Sequence, residues 1–96
     1  MRRTRTVRIG ELFDDFFKEP AIARKIAEGA LPERWNEIVG PTVAAATRSV
    51  SLRNGILWVQ ISSPALRHEL FMRRSFLRDE LNRRSRFDLV REVQVK

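Results

Sequence analysis

The sequence contains no cysteine and only one histidine, which limits the chemistry that it can perform. Without cysteine there are no disulfides, thiolate nucleophiles or cysteine-ligated zinc, and this fits a reducing compartment. His68 lies in a charged segment, where a lone histidine is more often a surface residue than a general base. Walker loops, GxGxxG motifs and zinc-ligand spacings are absent too. We therefore expect no enzymatic activity, no metal, no cofactor and no small-molecule substrate.

Long apolar runs are also missing. No segment approaches the roughly 20 apolar residues that are needed to span a bilayer. Residues 1–8 are basic, but no apolar stretch follows them as it does in a signal peptide. We expect a soluble cytoplasmic protein that does not contact membranes. A chain of 96 residues buries a single core.

Positive charge is abundant and unevenly distributed. Nineteen basic residues, sixteen of them arginine, oppose twelve acidic residues, which gives a formal charge of +7. Residues 1–8 carry +4, residues 67–86 carry another +4, and the remainder sums to −1. A surplus held in two segments creates a directed field that attracts polyphosphate. Nucleic acid is therefore the favoured partner and the nucleoid the expected location, and a merely solvated, self-repelling surface is the alternative.

Glycine and proline divide the first half of the chain into short helical segments. The predicted helices cover residues 11–18, 20–29 and 32–39, with a further helical turn over 41–46. Trp35, on the third of these helices, is expected to pack in the core or between helices. Residues 1–9 are expected to form a flexible basic arm.

The second half contains segments that alternate with the period of two typical of strands. The predicted strands are 47–53, 56–61 and 87–95. Asn54-Gly55 joins the first two and is a strong hairpin signal, because a type I′ turn needs positive φ at both residues. Thr47 is expected on the polar face of its strand, opposite Val50. Arg91 is the one exception on the apolar face of the last strand.

Three strands that each have one apolar face need helices on that face. The sequence therefore predicts an α+β fold, a two-layer sandwich with a three-stranded sheet and helices on one face. Residues 10–96 are expected to form this single domain.

The longest helical stretch, residues 64–84, carries much of the charge. It has a leucine stripe at Leu66, Leu70, Leu77 and Leu81. Arg67, Arg74 and Arg78 fall within an arc of about 40° beside that stripe, which predicts one ridge that contacts phosphate through planar guanidinium forks. If the helix breaks near 73–75, the two halves no longer present their arginines in one row. The alternative is that these arginines only provide solubility or pair with acids. The predicted nucleic-acid contacts are Arg67, Arg73, Arg74, Arg78, Arg83, Arg84, Arg2, Arg3 and Arg5.

Trp58 lies on the face of its strand that also holds Gln60, so it is expected on a polar sheet face. A tryptophan exposed there is suited to stacking a nucleobase or anchoring a protein partner. The alternative is that the phenylalanine-rich first helix covers it. Trp58, Phe13 and Phe17 are the predicted partner-binding residues.

Several strings occur in a specific order between residues 31 and 95. They are Trp35-x-x-Ile38-Val39-Gly40, Ala44 with Thr47, Asn54-Gly55-Ile56-Leu57-Trp58-Val59, the stretch from Ile61 to Leu70 with Ser63-Pro64, and Leu77 with Leu81-Asn82. In this order they resemble the DciA-like family of replicative helicase loaders. The resemblance implies a KH-like fold and a role in helping a DnaB-type helicase onto single-stranded DNA, with contacts to both.

The chain departs from true KH domains because it lacks the GxxG loop that clamps a nucleic-acid backbone. Contact with DNA is then left to the arginines. Two other functions remain open: a KH-like RNA-binding module associated with the ribosome or RNA metabolism, and a protein-interaction domain whose arginines meet an acidic partner.

Overall fold

A computed structural model of the chain describes residues 20–96. The elements in this range are α1 Pro20–Gly29, α2 Leu31–Ala46, β1 Thr47–Arg53, β2 Ile56–Ile61, α3 Pro64–Met72, α4 Arg74–Ser85 and β3 Glu92–Val95. The predicted α+β class is confirmed, whereas KH-like geometry stays a prediction. The predicted helix over 11–18 and the predicted arm lie outside the described residues.

The three strands form one mixed sheet in the order β1-β2-β3. β1 and β2 are antiparallel, and β2 and β3 are parallel, so α3 and α4 form the crossover between the last two strands. Asn54 and Gly55 have φ values of 54° and 81°. Both are positive, as the predicted hairpin turn requires, and the predicted hairpin is confirmed.

One face of the sheet is buried beneath helices, and this layer is the core. The strands contribute Leu57, Val59, Ile61 and Val93, the helices contribute Leu31, Trp35, Leu70, Leu77 and Leu81, and Leu89 and Val90 complete it. Each of these residues is at most 4% exposed. Leu66 is half-buried and packs against them, so the predicted leucine stripe is confirmed. Trp35 is fully buried, as expected.

Two helical runs are interrupted at positions where the sequence indicated a boundary. Gly40 is non-helical, with φ 87° and ψ 171°, and kinks α2 immediately before Pro41. Arg73, with φ −108° and ψ 18°, separates α3 from α4. The crossover between β2 and β3 is therefore two helices, with a change of direction at Arg73.

The prediction that Thr47 lies on the polar face is wrong. The pairing register shifts between Thr47 and Ser49, so that Thr47 opposes the buried Ile61. The Trp35 indole nitrogen donates to the Thr47 hydroxyl over 3.0 Å, and that hydroxyl donates to the Val43 carbonyl over 2.8 Å. The irregularity adds one residue to β1, which reverses the faces on either side of it.

The last strand is shorter than the predicted 87–95, because the chain before it is held by α4. The Asn82 side-chain amide donates to the Val90 carbonyl over 2.8 Å and accepts from the Val90 N–H over 2.9 Å. Both backbone polar groups of Val90 are thus engaged by a side chain rather than by a neighbouring strand. Leu89 and Val90 are both buried, so alternation also fails there.

Substituting Gly55 by alanine should destabilise the fold by at least about 1 kcal/mol, because φ is positive there. A Cβ at this position would also lie 2.5 Å from Nε of Arg91. Gly29→Ala is the matched control, since its Cβ would meet nothing within 4 Å. Urea unfolding of both variants measures the difference. Equal stability of the two variants would contradict the role assigned to the turn.

Candidate nucleic-acid interface

Three arginines line an open cavity between the start of α4 and the start of β3. Arg74 and Arg78 are one helical turn apart on α4, and Arg91 directly precedes β3. The cavity has a volume of about 190 Å³, and its lining also includes Ser75, Glu92 and Val93. Three guanidinium groups thus share the cavity with one lining carboxylate. We refer to it as the arginine cavity.

Backbone contacts fix Arg91 at this cavity. Its N–H donates to the Gly55 carbonyl over 2.7 Å, and its guanidinium donates to the Asn54 carbonyl. The Asn54-Gly55 turn therefore positions a cation that sequence analysis did not list as a nucleic-acid contact. The sequence did contain an indication, because Arg91 is the one charged residue on the apolar face of the predicted strand 87–95.

Arg74 and Arg78 differ in how far they are engaged. Nε of Arg74 donates to the Phe71 carbonyl over 2.8 Å, and its guanidinium carbon lies 3.7 Å from the centre of the Phe71 ring. Nε of Arg78 donates to Asp79 over 2.9 Å. Arg74 therefore stacks on a neutral ring and keeps its charge, whereas Arg78 is partly compensated. Planar forks of this kind bind phosphate oxygens in pairs.

Arg67 does not join them, and the prediction of a single ridge is wrong. Its guanidinium donates to the Ile61 carbonyl over 2.8 Å, at the end of β2. Arg91 contacts Gly55, just before β2 begins. The two ends of β2 are about 16 Å apart at the usual rise per residue. The break at Arg73 divides the stretch into two helices, so the arginines beside the two halves of the leucine stripe do not form one row.

Arg83 and Arg84 are paired with acids. Arg83 makes two hydrogen bonds of 2.9 Å to Glu80, and Arg84 contacts Glu80 at 3.3 Å and Glu37 at 3.4 Å. The hydrogen bond from Arg83 is the main cause that lowers the pKa of Glu80 to about 2. Glu80 in turn raises the pKa of Arg83. Arg83 and Arg84 therefore follow the alternative that the sequence left open, in which arginines pair with acids.

The junction of α3 and α4 exposes large apolar side chains that sequence analysis did not single out. Phe71 and Phe76 are each 49% exposed, and Met72 is 72% exposed. Arg73 lies 5.1 Å from the centre of the Phe76 ring. The signal was present in the sequence, because all three apolar residues lie off the leucine stripe. We call these three residues the apolar corner; large apolar side chains left exposed within a few residues of each other indicate a candidate interaction site.

Trp58 is half-buried on the outer face of the sheet, opposite the helices. Cations lie close to its ring: Nζ of Lys96 at 4.7 Å and the guanidinium carbon of Arg53 at 5.6 Å from the ring centre. Neither cation was predicted as a site residue. Arg2, Arg3, Arg5, Phe13 and Phe17 lie outside the described residues, so their predicted roles stay predictions.

Residues 20–96 offer few groups suited to catalysis or metal binding. His68 is exposed on α3. Within that range no cluster of three or more histidine or acidic side chains could hold a metal ion. No helix in the same range has the length and apolar character needed to cross a membrane.

Comparisons with known proteins identify the family of this chain and a related protein. The family model described as "Dna[CI] antecedent, DciA" matches residues 8–95. A UPF0232 protein of Rhodococcus jostii is 35% identical over 66 residues, which are 69% of this chain and 35% of that protein. The chain therefore matches about a third of the length of that curated relative. The family match includes every helix and strand described above.

Replacing Glu80 by glutamine should strengthen the binding of single-stranded DNA severalfold, because it releases Arg83 from its carboxylate and leaves Arg84 with Glu37 as its one acidic contact. Each released arginine that reaches a phosphate should steepen the slope of log K against log salt by about 0.7. Fluorescence anisotropy at several salt concentrations measures both quantities. Glu28→Gln is the matched control, since Glu28 lies 3.8 Å from Arg24 on α1 and carries the same charge. An equal gain in both variants would mean that only net charge matters.

Proposed function

The chain belongs to the DciA family, and on that premise we propose that it is a non-enzymatic adaptor that helps load a DnaB-type replicative helicase onto single-stranded DNA. In this role it binds both partners and holds ring and strand near each other. Tethering raises their effective concentration without any new chemistry. The adaptor therefore needs no ATP site of its own.

The arginine cavity is the observation that carries the DNA half of the proposal. Arg74, Arg78 and Arg91 line one open concavity at the surface, where backbone phosphates can enter from solvent. Their charge attracts a polyanion, and their forks match the geometry of phosphate oxygens. Acid-paired Arg83 and Arg84 are secondary contacts in this scheme, and Arg67 and Arg73 lie outside the cavity lining.

The KH-like description belongs to the same proposal. In KH domains a GxxG loop approaches the nucleic-acid backbone. Here the residue between α3 and α4 is Arg73, and residues 71–74 contain no glycine. Phosphate contact near this junction therefore uses guanidinium side chains rather than close backbone approach, which favours strand binding without sequence selectivity.

The apolar corner is the proposed helicase contact. Phe71, Met72 and Phe76 are the large apolar side chains most exposed near the crossover. Exposed aromatic residues bordered by arginine are the composition that recurs at the centres of protein interfaces. Arg73 and Arg74 favour an acidic rim on the partner.

Replacing both Arg74 and Arg78 by glutamine should weaken single-strand binding at least tenfold and reduce the salt slope by about 1.4, two contacts at 0.7 each. Salt-titrated anisotropy with a labelled oligonucleotide measures both changes. Arg24→Gln with Arg34→Gln removes the same charge from α1 and α2, away from the cavity, and serves as the control. Equal losses in the two double variants would remove the cavity from the proposal. Tighter binding of RNA than of DNA of equal sequence would favour the RNA-binding alternative.

Purified DnaB-type helicase should associate faster with single-stranded DNA when the protein is present. The variant carrying Arg74→Gln and Arg78→Gln should still bind the helicase but should not accelerate its association with the strand. Met72→Ser with Phe76→Ser should do the reverse, losing the helicase and keeping DNA. Stopped-flow fluorescence and co-purification measure the two properties. A wild-type protein that neither binds the helicase nor changes its association rate would refute the proposal.

A further inference from the structure

The outer face of the sheet carries an aromatic ring among cations. Trp58 occupies the middle strand, with Ser51 opposite it on β1 and Gln94 opposite it on β3. Lys96 continues the β3 ladder, because its N–H donates to the Val59 carbonyl over 2.8 Å. Arg53 comes from the end of β1. Three strands thus place one indole and two cations together.

The cavity beside the indole is open and is lined by neutral and basic side chains. A shallow cavity of about 180 Å³ is lined by Ser49, Ser51, Arg53, Trp58, Val59, Gln60 and Lys96. No acidic side chain is among these lining residues. Glu92 is the acid on the outer face of β3, four residues from Lys96, and there it accepts a hydrogen bond from Gln94. The local field at Trp58 is therefore positive.

We propose that Trp58 stacks an unpaired nucleobase of single-stranded DNA while Arg53 and Lys96 bind the phosphates on either side of that base. The inference rests on the proposed function, since it adds a second contact to the same strand. Every base has a π-face, so stacking on one indole tolerates any sequence. Arg53 and Lys96 now lie against the Trp58 ring by cation–π contact. When a base stacks on that ring, the two side chains can bind the neighbouring phosphates instead.

The chemistry of the site favours a nucleobase over an apolar protein anchor. A protein that covered Trp58 with apolar side chains would desolvate Arg53 and Lys96 without giving either cation a partner, which is costly. A nucleotide supplies both components that the site lacks, a flat ring and an anionic group. Neutral side chains such as Ser49, Ser51 and Gln60 can donate hydrogen bonds to sugar or base edges.

The cavity at Trp58 and the arginine cavity lie near opposite ends of β3. Glu92 lines the arginine cavity and Lys96 lines the cavity at Trp58. Lys96 is four positions after Glu92, which is about 13 Å at the usual rise per residue. One bound DNA strand is long enough to contact both, because single-strand sites commonly cover several nucleotides.

Oligonucleotides with and without bases separate stacking from phosphate contact. Wild-type protein should bind a base-bearing strand more tightly than an abasic strand of equal length and charge. Trp58→Ala should lose about five- to 150-fold in affinity for the base-bearing strand and little for the abasic strand. Ile26→Ala is the control, because it removes another large apolar side chain that is 49% exposed and lies on α1, outside both cavities and the apolar corner.

Intrinsic fluorescence gives a readout that does not need the alanine variant to fold. Trp35 is fully buried, so quenching on addition of a base-bearing strand reports on Trp58. The quenching should disappear in Trp58→Phe, which keeps an aromatic side chain and should retain part of the affinity. Arg53→Gln and Lys96→Gln should each reduce the salt slope by about 0.7.

Four outcomes overturn the inference. The first is that wild-type protein binds base-bearing and abasic strands equally well. The second and third are that Trp58→Ala keeps its affinity for the base-bearing strand, or loses affinity equally for both strands. The fourth is that Trp58→Ala loses helicase binding while its DNA binding stays intact. The last would make Trp58 a protein anchor. Failure here is distinct from failure of the proposed function, which Arg74→Gln with Arg78→Gln tests separately. Wild-type protein that binds neither strand overturns both.

Discussion

Burial of a single face of the sheet determines where the candidate binding residues lie. Trp35, Leu77 and Leu81 are at most 1% exposed and cover the inner face. The leucines of α3 and α4 must reach that inner face. The polar residues of the same two helices are therefore left at the rim of the sheet and on the outer surfaces of the helices. The outer sheet face is not covered by any of the helices in residues 20–96, so Trp58 remains beside the polar side chains of β1. The core therefore separates a rim of arginines from an outer aromatic site.

Charge compensation then divides the arginines into groups with different availability. Exposed ion pairs such as Arg83 with Glu80 contribute little net stability, since solvent screens them. Such pairs instead lower the affinity for phosphate, because the phosphate must compete with the carboxylate for the same guanidinium. Arg74 has no such competitor in its described contacts, because its partners are a carbonyl and a ring. The count of nineteen basic residues therefore overstates the number that are ready to bind a polyanion.

Elements with a local physical cause could be predicted from the sequence, and those that depend on tertiary contacts could not. The Asn54-Gly55 turn is encoded by the two residues that tolerate positive φ, and the leucine spacing of α3 and α4 is a direct consequence of helix period. The irregularity after Thr47 depends on the Trp35 hydrogen bond, and the late start of β3 depends on Asn82. Both contacts join residues at least eight positions apart, which no periodicity reveals. The prediction of a single arginine ridge failed for a related reason, since it assumed one continuous helix where the chain forms two helices whose relative direction the sequence leaves undefined.

Arg74 links the two halves of the proposed function. Its guanidinium lines the arginine cavity and at the same time stacks on Phe71 of the apolar corner. A helicase surface that covers Phe71 changes the environment of this guanidinium, and a phosphate that draws Arg74 into the cavity uncovers the Phe71 ring. Under the proposed function the two binding events are therefore coupled through one side chain, and thermodynamic linkage requires the coupling to be reciprocal. If the helicase favours the uncovered ring, DNA and helicase strengthen each other's binding by the same factor, which is the behaviour that a loading adaptor needs.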